Sequence, residues 1–415
     1  MKAFLKKILV FIYHCMAKIL PVNRKKAVFM SNMGRNYSGN PRAVYEEMLK
    51  DTRFEEVRKI WAFNGDFFNM VKKYGGKLLP KGCKTVRYGG LRYYFHMATS
   101  GIWVFDTRQE PYLVKRKKAL YLMTWHGTPL KKLGLDMLSL NMSGEKRDLK
   151  AYTDSFTEES GKWDCLIAQN DFSASVFPGC FGYKGKVLTT GYPRNDRLVR
   201  EGFRAEDTAA EAGKPRKKVL LYAPTWRDDE YLSGGFYKCP SRPDFVKLEK
   251  ALGDKYRIML KLHYLVKLKK GDIPQSCIDS GFVKVYGNET DITSLYLKAD
   301  ALIGDYTSAM FDYSVLDRPM FFFCYDLEKY RDSLRGFYMD IEEIAPGPIS
   351  KNEEELIGDI REAFEGSEDS NGSKKADYRE KLKKFRETYN KYDDGHASER
   401  VLDVIRRFLE EPKSL

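Results

Sequence analysis

Short apolar runs alternate with helix-like stretches along most of this chain. A first series of runs comprises KKAVFMSNMG, VRKIWAFNG, GIWVFD, ALYLMTWHG, WDCLIAQN and KVLTTGYP. A second series comprises KVLLYAPTW, YRIMLKLHY, FVKVYG, ADALIGDY and PMFFFCYD. Because strands that alternate with helices form open parallel sheets, the pattern predicts an α/β protein with two doubly wound domains.

A polar stretch separates the two series and sets the predicted domain boundaries. Residues 203–217, FRAEDTAAEAGKPRK, have the Ala, Gly and Pro content of a linker or surface helix. We therefore expect an N-terminal domain at residues 27–205 and a C-terminal domain at residues 217–390. Residues 391–415 include the amphipathic stretch ASERVLDVIRRFLEE, which predicts a C-terminal helix.

The first 26 residues, MKAFLKKILVFIYHCMAKILPVNRKK, combine basic and apolar positions. Their longest uncharged run, residues 8–17, is half of the roughly 20 residues that a membrane-spanning helix needs. A signal peptide would end in a small-residue cleavage site, but Lys18 and NRKK follow instead. We expect residues 1–26 to form a basic amphipathic helix on the inner membrane surface, at the cytoplasmic face. The alternative is a first helix that packs on the protein's own core.

The net charge indicates the kind of partner to expect, and the cysteine content indicates the cellular compartment. The net charge is +14 and the pI is about 9.1, which predicts attraction to an anionic surface or a phosphorylated substrate. Nucleic acid is not expected, because the basic residues are dispersed and no recognition motif is present. The seven cysteines form no CxxC pair and lie mostly in apolar runs, which indicates reduced thiols in a cytosolic protein.

Polar clusters follow four of the predicted strands. His126 in TWHGTPLKKLG follows a strand of the first series, and His263 in MLKLHYL follows one of the second. YAPTWRDD at residues 222–229 and GDYTSAMFDY at residues 304–313 also begin where second-series strands end. Ligands of doubly wound sheets bind beyond the carboxyl ends of the strands, so these clusters predict a ligand site in a crevice between two domains.

Together these segments resemble the CDP-glycerol glycerophosphotransferase family, the primases and polymerases of wall teichoic acid. The motifs that carry the resemblance are TWHGTPLKKLG, TGYPRND, LYAPTWRDD, KLH, IGDYTSAMFDYSVLDRPMFFFCYDLEKY, RGFYMD and DGHASERV. They occur in the family's order from about residue 27 to about residue 405. The chain departs from the family pattern at Tyr264, where Pro is usual, and at Thr307 and Ser308, where a Ser pair is usual. A long extra N-terminal region found in some members is also missing.

The resemblance implies a GT-B-like fold, with two Rossmann-like domains facing a central cleft and the C-terminal helix packing back. It implies transfer of glycerol phosphate, or a related polyol phosphate, from CDP-glycerol or CDP-ribitol. The acceptor would be a hydroxyl of a polyprenyl-linked lipid, and CMP would leave. The alternative function is a GT-B glycosyltransferase that uses a nucleotide sugar, since both classes share fold and cleft.

The proposed reaction needs a group that takes the acceptor's proton. A histidine near its ordinary pKa of about 6.5 suits this task, and we assign it to His126. His263 is expected on the donor side, where it would bond the transferred phosphate or assist the departing CMP. The alternatives are that His126 only hydrogen-bonds its own loop and that His263 only caps a strand end.

The donor's diphosphate needs hydrogen-bond donors and positive charge. Arg227 and Arg194 offer planar guanidinium groups, and Thr307 and Ser308 precede a helix whose N–H groups would face an anion. The predicted donor or phosphate-binding residues are Arg227, Thr307, Ser308, Asp305, Arg194 and Thr225.

Three further positions, Asp312, Asn195 and Gly127, are expected to be structural or to bind the polyol. An ordinary helix cap is the alternative for Thr307 and Ser308. No metal or other cofactor is required, although the carboxylates of RDDE at residues 227–230 leave a magnesium ion open. Glycerol or ribitol, single addition or polymerisation, and oligomeric state stay open.

Overall fold

The computed structural model describes residues 2–139, 148–202, 216–227, 229–233, 236–239, 243–331, 336–366 and 374–411. Most of the predicted linker, residues 203–215, lies outside this part of the chain, as do Asp228 of the RDDE motif and Arg335 of RGFYMD.

The described residues contain fifteen strands. In chain order they are β1 (Asn23–Met30), β2 (Arg58–Phe63), β3 (Lys84–Arg87), β4 (Ser100–Phe105), β5 (Leu120–Met123), β6 (Cys165–Ala168), β7 (Lys186–Thr189), β8 (Lys218–Tyr222), β9 (Tyr231–Ser233), β10 (Phe236–Tyr237), β11 (Tyr256–Leu260), β12 (Val283–Val285), β13 (Ala301–Gly304), β14 (Met320–Phe323) and β15 (Ile349–Ser350).

Sixteen α-helices lie between and after these strands in the described residues. They are α1 (Lys2–Ile19), α2 (Gly39–Lys50), α3 (Gly65–Leu78), α4 (Leu91–Thr99), α5 (Leu149–Ser160), α6 (Asp171–Phe181), α7 (Asp196–Glu201), α8 (Phe245–Leu252), α9 (Gln275–Asp279), α10 (Ile292–Tyr296), α11 (Ala309–Tyr313), α12 (Leu327–Lys329), α13 (Ile341–Ile344), α14 (Glu353–Glu365), α15 (Lys374–Tyr389) and α16 (Ala397–Glu410).

The chain divides into two compact units. The first unit takes residues 1–126, 153–196 and 392–415, and the second takes residues 127–152 and 197–391. This grouping differs from the predicted bounds in that residues 127–152 pack with the second unit. The backbone explains the difference, because Tyr338 donates its N–H to the carbonyl of Leu130 (2.9 Å) and Lys132 donates to that of Gly336 (3.2 Å).

The first unit is built on a seven-stranded parallel sheet in the order β3-β2-β1-β4-β5-β6-β7. The strands are almost continuous apolar runs because helices cover both faces, as in doubly wound proteins. The C-terminal helix α16 packs on α2 of this same unit. Its side chains Val401, Leu402 and Ile405 join Trp61 and Tyr45 in one buried cluster. The predicted amphipathic C-terminal helix is therefore present and packs back on the first sheet.

The second unit contains a six-stranded parallel sheet in the order β12-β11-β8-β13-β14-β15 and a small β9–β10 hairpin. The short helix α11 is buried along its length, and Met310 and Phe311 pack with Leu382 and Phe385 of α15. Strand β13, which is followed by Asp305 and Tyr306, is thus connected to a helix that is buried on most of its faces. The packing of the strand and of the helix fixes the loop between them.

Helix α1 has one side packed on the protein and another side that exposes apolar side chains. Tyr13 and Ala17 are buried, and the helix packs on α4 of the first unit. Its other side exposes large apolar side chains, which are Phe4, Leu5, Ile8, Phe11, Ile12 and Ile19. Among the described helices, none is both long enough and apolar enough to span a bilayer.

Candidate active site

Each sheet reverses its strand order at one place, and the predicted site residues that follow strands lie at these places or one strand away. The first sheet reverses between β1 and β4, and the second between β8 and β13. At such a switch point the loops after the two strands diverge and leave room for a ligand. In the first unit the loops after β1, β4 and β5 carry Ser31, Asp106 and His126. In the second unit the loops after β8 and β13 carry Thr225 and Asp305.

His126 is fixed in one tautomer by the backbone. Its Nδ1 lies 2.7 Å from the carbonyl oxygen of Asp106. Because a carbonyl oxygen only accepts hydrogen bonds, Nδ1 carries the proton and donates it. In the neutral ring, Nε2 then has an unprotonated lone pair, and the side chain is exposed to solvent. This arrangement suits a proton acceptor.

The electrostatic surroundings keep this imidazole neutral. Neighbouring protein atoms exclude water from part of the ring and lower the pKa of His126 below its ordinary value. The Asp106 carbonyl opposes this shift, while the positive charge of Arg194 adds to it. Since the outer part of the side chain is exposed, water limits the size of the shift without changing its direction. His126 is therefore deprotonated at neutral pH.

The turn that carries His126 is strained and held from several sides. Trp125 has a φ of 50°, a left-handed conformation that is rare for a bulky side chain. Its ring lies 4.3 Å from the His126 ring and packs against Phe181 at 4.6 Å. Arg194 donates from Nη1 to the His126 carbonyl at 2.9 Å. The sequence prediction that Arg194 and His126 belong to one site is consistent with this contact.

A buried carboxylate that sequence reasoning missed supports the same loops. Asp106 is 1% exposed and accepts hydrogen bonds from Ser31 Oγ (2.5 Å) and from the Asn32 backbone N–H (2.8 Å). Burial raises its pKa to about 6, although these two bonds pull the pKa down. Asp106 thus links the loops after β1 and β4 while its carbonyl orients His126. The sequence pattern could have indicated this residue, because Asp106 ends the apolar run GIWVFD in the same way that His126 follows the apolar run ALYLM.

His263 follows β11 in the second unit and has the opposite arrangement. Its Nδ1 accepts a hydrogen bond from the Leu265 backbone N–H at 3.3 Å. In the neutral ring the proton is therefore on Nε2, which makes Nε2 a donor. The side chain is half-buried, with its ring 6.1 Å from Trp226 and 4.3 Å from Tyr264. His263 is suited to donate a hydrogen bond to an anionic oxygen.

Arg227, a predicted phosphate-binding residue, lies in a buried ion-pair network. Its side chain is buried, and its guanidinium pairs with Asp305 at 2.8 Å and makes a bidentate contact with Asp326 at 2.8 and 3.0 Å. The rings of Tyr306 and Tyr330 lie beside it at 5.2 and 5.0 Å. Since the guanidinium is engaged by two carboxylates and shielded from water, it ties together the loops that carry Asp305 and Asp326. The charge next to it raises the pKa of Arg227 above its already high value, against the effect of burial.

Asp305 and Thr225 belong to the same buried network. Asp305 is 1% exposed and accepts hydrogen bonds from the Thr225 backbone N–H (2.9 Å) and hydroxyl (3.0 Å). The Thr225 hydroxyl also accepts from Arg227 at 3.1 Å. These contacts tie the loop after β8 to the loop after β13. Asp305 and Thr225, which are predicted to contact the donor phosphate, thus have a supporting role in joining these loops.

Thr307 and Ser308 stand in front of α11, as predicted, but they differ in role. Thr307 Oγ1 accepts a hydrogen bond from the Ala309 N–H at 3.1 Å, so it caps the helix. Ser308 makes no side-chain capping bond. A Cβ atom on Gly127 would lie 2.8 Å from Ser308 Oγ, so only glycine allows this close approach. Ser308 thus keeps its hydroxyl next to the Gly127 backbone.

The predicted residues Asn195 and Asp312 are buried, and the neighbouring Asp196 has a structural role. Asp196 accepts hydrogen bonds from the Ala397 and Ser398 N–H groups at 2.9 and 2.7 Å, so it anchors the start of α16. Asn195 and Asp312 are 1% and 3% exposed, which favours the structural alternative for both. The TGYPRND and DGHASERV motifs are therefore parts of one packed region of the first unit.

Other histidines and possible metal ligands add no second site. His96 is 8% exposed, His14 bonds the Tyr112 carbonyl at 2.9 Å, and His396 is exposed beside Glu399. Within the residues that the structure describes, no cluster of three or more His, Cys, Asp or Glu side chains could hold a metal ion. None of the seven cysteines forms a disulfide.

A protein-family model described as CDP-Glycerol:Poly(glycerophosphate) glycerophosphotransferase matches residues 12–407. The chain is 37% identical over 391 residues to the teichoic acid glycerol-phosphate transferase of Staphylococcus aureus, covering 92% of this chain and 93% of that protein. It is also 37% identical over 398 residues to the teichoic acid poly(glycerol phosphate) polymerase of Bacillus subtilis. That match covers 94% of this chain but only 50% of the polymerase, so the chain spans about half of its length.

A third relative is named for ribitol phosphate instead of glycerol phosphate. The teichoic acid ribitol-phosphate primase of Bacillus spizizenii is 30% identical over 427 residues, covering 99% of both proteins. Full-length similarity therefore extends to proteins named for glycerol phosphate and to one named for ribitol phosphate.

Solved structures agree with the fold described above. The wall teichoic acid polymerase TagF matches with a TM-score of 0.81 and 34% identity, covering 99% of this chain and 95% of that chain. The matched structure is of a variant with one histidine replaced by asparagine, soaked with CDPG. A UDP-GlcNAc 2-epimerase from Neisseria meningitidis matches with a TM-score of 0.51 at 12% identity, covering 92% of this chain and 99% of that chain, which shows shared fold alone. The predicted α/β, GT-B-like fold is confirmed.

Proposed function

The chain belongs to the CDP-glycerol:poly(glycerophosphate) glycerophosphotransferase family, and from this we propose its reaction. It transfers glycerol phosphate, or a related polyol phosphate, from a CDP-activated donor to a hydroxyl of a polyprenyl-linked acceptor. CMP is the second product. The reaction extends a teichoic acid or a related cell-surface polymer, and the resemblance found in the motifs is confirmed at the level of the family.

The observation that carries this proposal is the tautomer of His126. With Nδ1 bonded to the Asp106 carbonyl, Nε2 is the atom that takes the proton of the acceptor hydroxyl. The hydroxyl oxygen then forms a bond to the phosphorus on the glycerol side of the donor. At the same time the bond between that phosphorus and the bridging oxygen breaks, and its electron pair leaves with CMP.

His263 acts on the departing side in this proposal. Its Nε2–H donates to a phosphate oxygen and stabilises the charge that develops on CMP. Ser308 and the N–H groups in front of α11 are the proposed contacts of the donor phosphate. The support for Ser308 is that its hydroxyl has no role in capping the helix. Arg227, Asp305 and Thr225 hold the loops that carry these groups.

The experiment is a CMP-release assay on the purified full chain with a polyprenyl-linked acceptor. CDP-glycerol, CDP-ribitol and UDP-sugars are compared side by side, and His126→Ala is tested with the preferred donor. We expect CMP release with a CDP-polyol and a loss of about 100- to 10,000-fold in His126→Ala, with the thermal unfolding midpoint retained.

Two results would overturn the proposal. Turnover of UDP-sugars without CMP release would favour the nucleotide-sugar glycosyltransferase. Wild-type turnover by the folded His126→Ala variant would remove His126 as the base. The number of polyol-phosphate units on the acceptor product distinguishes a primase, which adds one unit, from a polymerase, which adds many.

Helix α1 is the proposed contact with the cytoplasmic face of the membrane. Its exposed apolar side chains recur at positions 4, 8, 11, 12 and 19, which form one face of the helix. Lys6 and Lys7 lie on the same helix, and a basic residue near an anionic surface contributes about 1 kcal/mol. The opposite side is fixed to the first unit by Tyr13, whose hydroxyl bonds the Val114 backbone. The chain would thus bind as a peripheral protein.

Sedimentation with vesicles tests this contact. The double variant Phe4→Ser/Phe11→Ser removes two side chains that are each 69% exposed, and it should weaken partitioning into phosphatidylglycerol vesicles by about tenfold or more. Val246→Ser on α8 is the control, since Val246 is 52% exposed on a helix of the second unit. Equal binding by the two variants would show that α1 is not the contact.

A further inference from the structure

One fully buried amide joins the two loops next to His126. Asn40 lies in the first turn of α2 and is 0% exposed. Its Nδ2 donates to the carbonyl oxygens of Thr124 at 3.2 Å and Trp125 at 3.0 Å. Its Oδ1 accepts a hydrogen bond from the Arg194 backbone N–H at 3.3 Å. All three partners are backbone groups, so these bonds depend on the backbone conformation of the loops and not on the side chains that the loops carry.

The shape that Asn40 holds is a strained one. Trp125 adopts a φ of 50°, which brings its Cβ close to its own backbone and costs conformational energy. Such a turn persists only where surrounding contacts fix it. The aromatic rings of Phe177 and Phe181 hold the Trp125 side chain at 6.2 and 4.6 Å, while Asn40 holds the Trp125 carbonyl. A turn relaxed toward ordinary φ would swing the next residue, His126, away from the Asp106 carbonyl.

We propose that Asn40 is a positioning residue for the transfer reaction, which acts by keeping the Trp125–His126 turn in the conformation that aims His126 Nε2 at the acceptor hydroxyl. This inference rests on the proposed function of His126 as the proton acceptor. Asn40 itself touches no reacting atom, because it is buried among backbone groups.

The chemistry of the three bonds explains why an asparagine stands here. The site presents two carbonyl oxygens and one N–H group, so it needs two donors and one acceptor on a short side chain. A carboxylate would place its lone pairs against two carbonyl oxygens. A hydroxyl would supply one donor at most, and alanine would leave all three backbone groups without this partner.

The test is steady-state CMP release by the full chain carrying Asn40→Ala. We expect kcat to fall about 10- to 100-fold, since a displacement of the base by about 1 Å costs about that much, and KM for the CDP-polyol to stay within about twofold. The pH profile of kcat should also change shape, because a released imidazole loses the surroundings that lower its pKa. A variant that was merely less stable would lose turnover only in proportion to its unfolded fraction, which circular dichroism measures at each pH.

Asn64→Ala is the matched control. Asn64 also stands at the start of a helix on the same sheet, where its Oδ1 accepts from the Phe67 N–H at 2.9 Å. It follows β2, three strands away from β5, and should alter stability without altering kcat or the pH profile. If Asn64→Ala lowers kcat as much as Asn40→Ala does, the effect is one of stability and the inference fails.

A double-mutant cycle separates this inference from the proposed function. In the His126→Ala background, adding Asn40→Ala should change the residual CMP release by less than about twofold, because the group that Asn40 positions is gone. A further 10- to 100-fold loss there would overturn the positioning role. Wild-type turnover by His126→Ala alone would instead overturn the proposed function. Should Asn40→Ala fail to fold, Asn40→Ser keeps one donor and one acceptor and is measured in the same cycle.

Discussion

Both units place a histidine after the carboxyl end of a parallel strand, but the local hydrogen bonds prepare the two rings in opposite ways. In the first unit, His126 donates from Nδ1 to the Asp106 carbonyl, which leaves Nε2 as an acceptor. In the second unit, His263 accepts at Nδ1 from the Leu265 N–H, which leaves Nε2 as a donor. One backbone contact, a carbonyl in one case and an N–H in the other, thus decides whether Nε2 of the neutral ring is an acceptor or a donor.

The units also differ in how they hold the loops at the ends of their strands. The first unit uses hydrogen bonds from a neutral amide and a strained turn, with Asn40 and Trp125 at its centre. The second uses a buried ion-pair network in which Arg227 joins Asp305 and Asp326. The comparison shows that the parallel-sheet fold places polar side chains at the carboxyl ends of strands in both units. The local hydrogen bonds and ion pairs then set the chemical properties of each side chain.

Glutamine substitutions test the tautomer contrast and should give the largest effect. The Nε2 of glutamine can donate a hydrogen bond but cannot accept a proton at neutral pH. His126→Gln should therefore lose about 100- to 10,000-fold in CMP release, as His126→Ala does. His263→Gln keeps a donor, so it should retain at least about tenfold more turnover than His263→Ala, since one such donor contributes about 100- to 1,000-fold.

The pairs of variants control each other, because each compares two substitutions at one position. If glutamine rescues His126 instead of His263, the assigned roles are exchanged. If it rescues neither, His263 acts through a proton rather than a hydrogen bond. Circular dichroism on all four variants confirms that folding is retained.

The contrast in support should appear as a contrast in stability. Arg227→Met leaves the carboxylates of Asp305 and Asp326 buried without their counter-charge, so it should lower the free energy of unfolding by about 3–5 kcal/mol. Arg194→Met removes a solvent-exposed hydrogen bond to the His126 carbonyl and should cost about 1 kcal/mol or less. Urea denaturation measures both, and equal losses would contradict the structural role of Arg227.

Much of the fold and part of the site could be predicted from the sequence. Continuous apolar runs identified the strands, because strands covered on both faces are apolar at every position. The rule that ligands bind beyond the carboxyl ends of such strands identified His126, His263 and the loops at Thr225 and Asp305. The same rule applied to GIWVFD and PMFFFCYD would have found Asp106 and Asp326, which end those runs.

The parts that could not be predicted depend on distances across the fold. The sequence shows Arg227 between two carboxylates only after β13 and β14 bring Asp305 and Asp326 beside it. An arginine at a strand end is equally compatible with a phosphate, so its role follows from burial and not from position. Asn40 lies 84 residues from Thr124, and no local pattern links them. The grouping of residues 127–152 with the second unit likewise depends on bonds to Gly336 and Tyr338.

The smallest predicted effect is a loss of stability of the first unit in acid. It depends on a second histidine, His96. Burial lowers the pKa of His96 to about 4, with Lys26, Arg58 and Arg92 adding repulsion, so the folded chain disfavours its charged form. The unfolded chain binds a proton at His96 near pH 6.5, and the free energy of unfolding should therefore fall as the pH drops from about 6.5 toward 4. Asp106 acts in the opposite direction, since its pKa of about 6 lets the folded chain bind a proton first. His96→Gln isolates the histidine, and it should reduce the loss of stability between pH 7 and pH 5 by about 1 kcal/mol in urea denaturation. An unchanged difference between the two pH values would show that His96 is not the group that titrates.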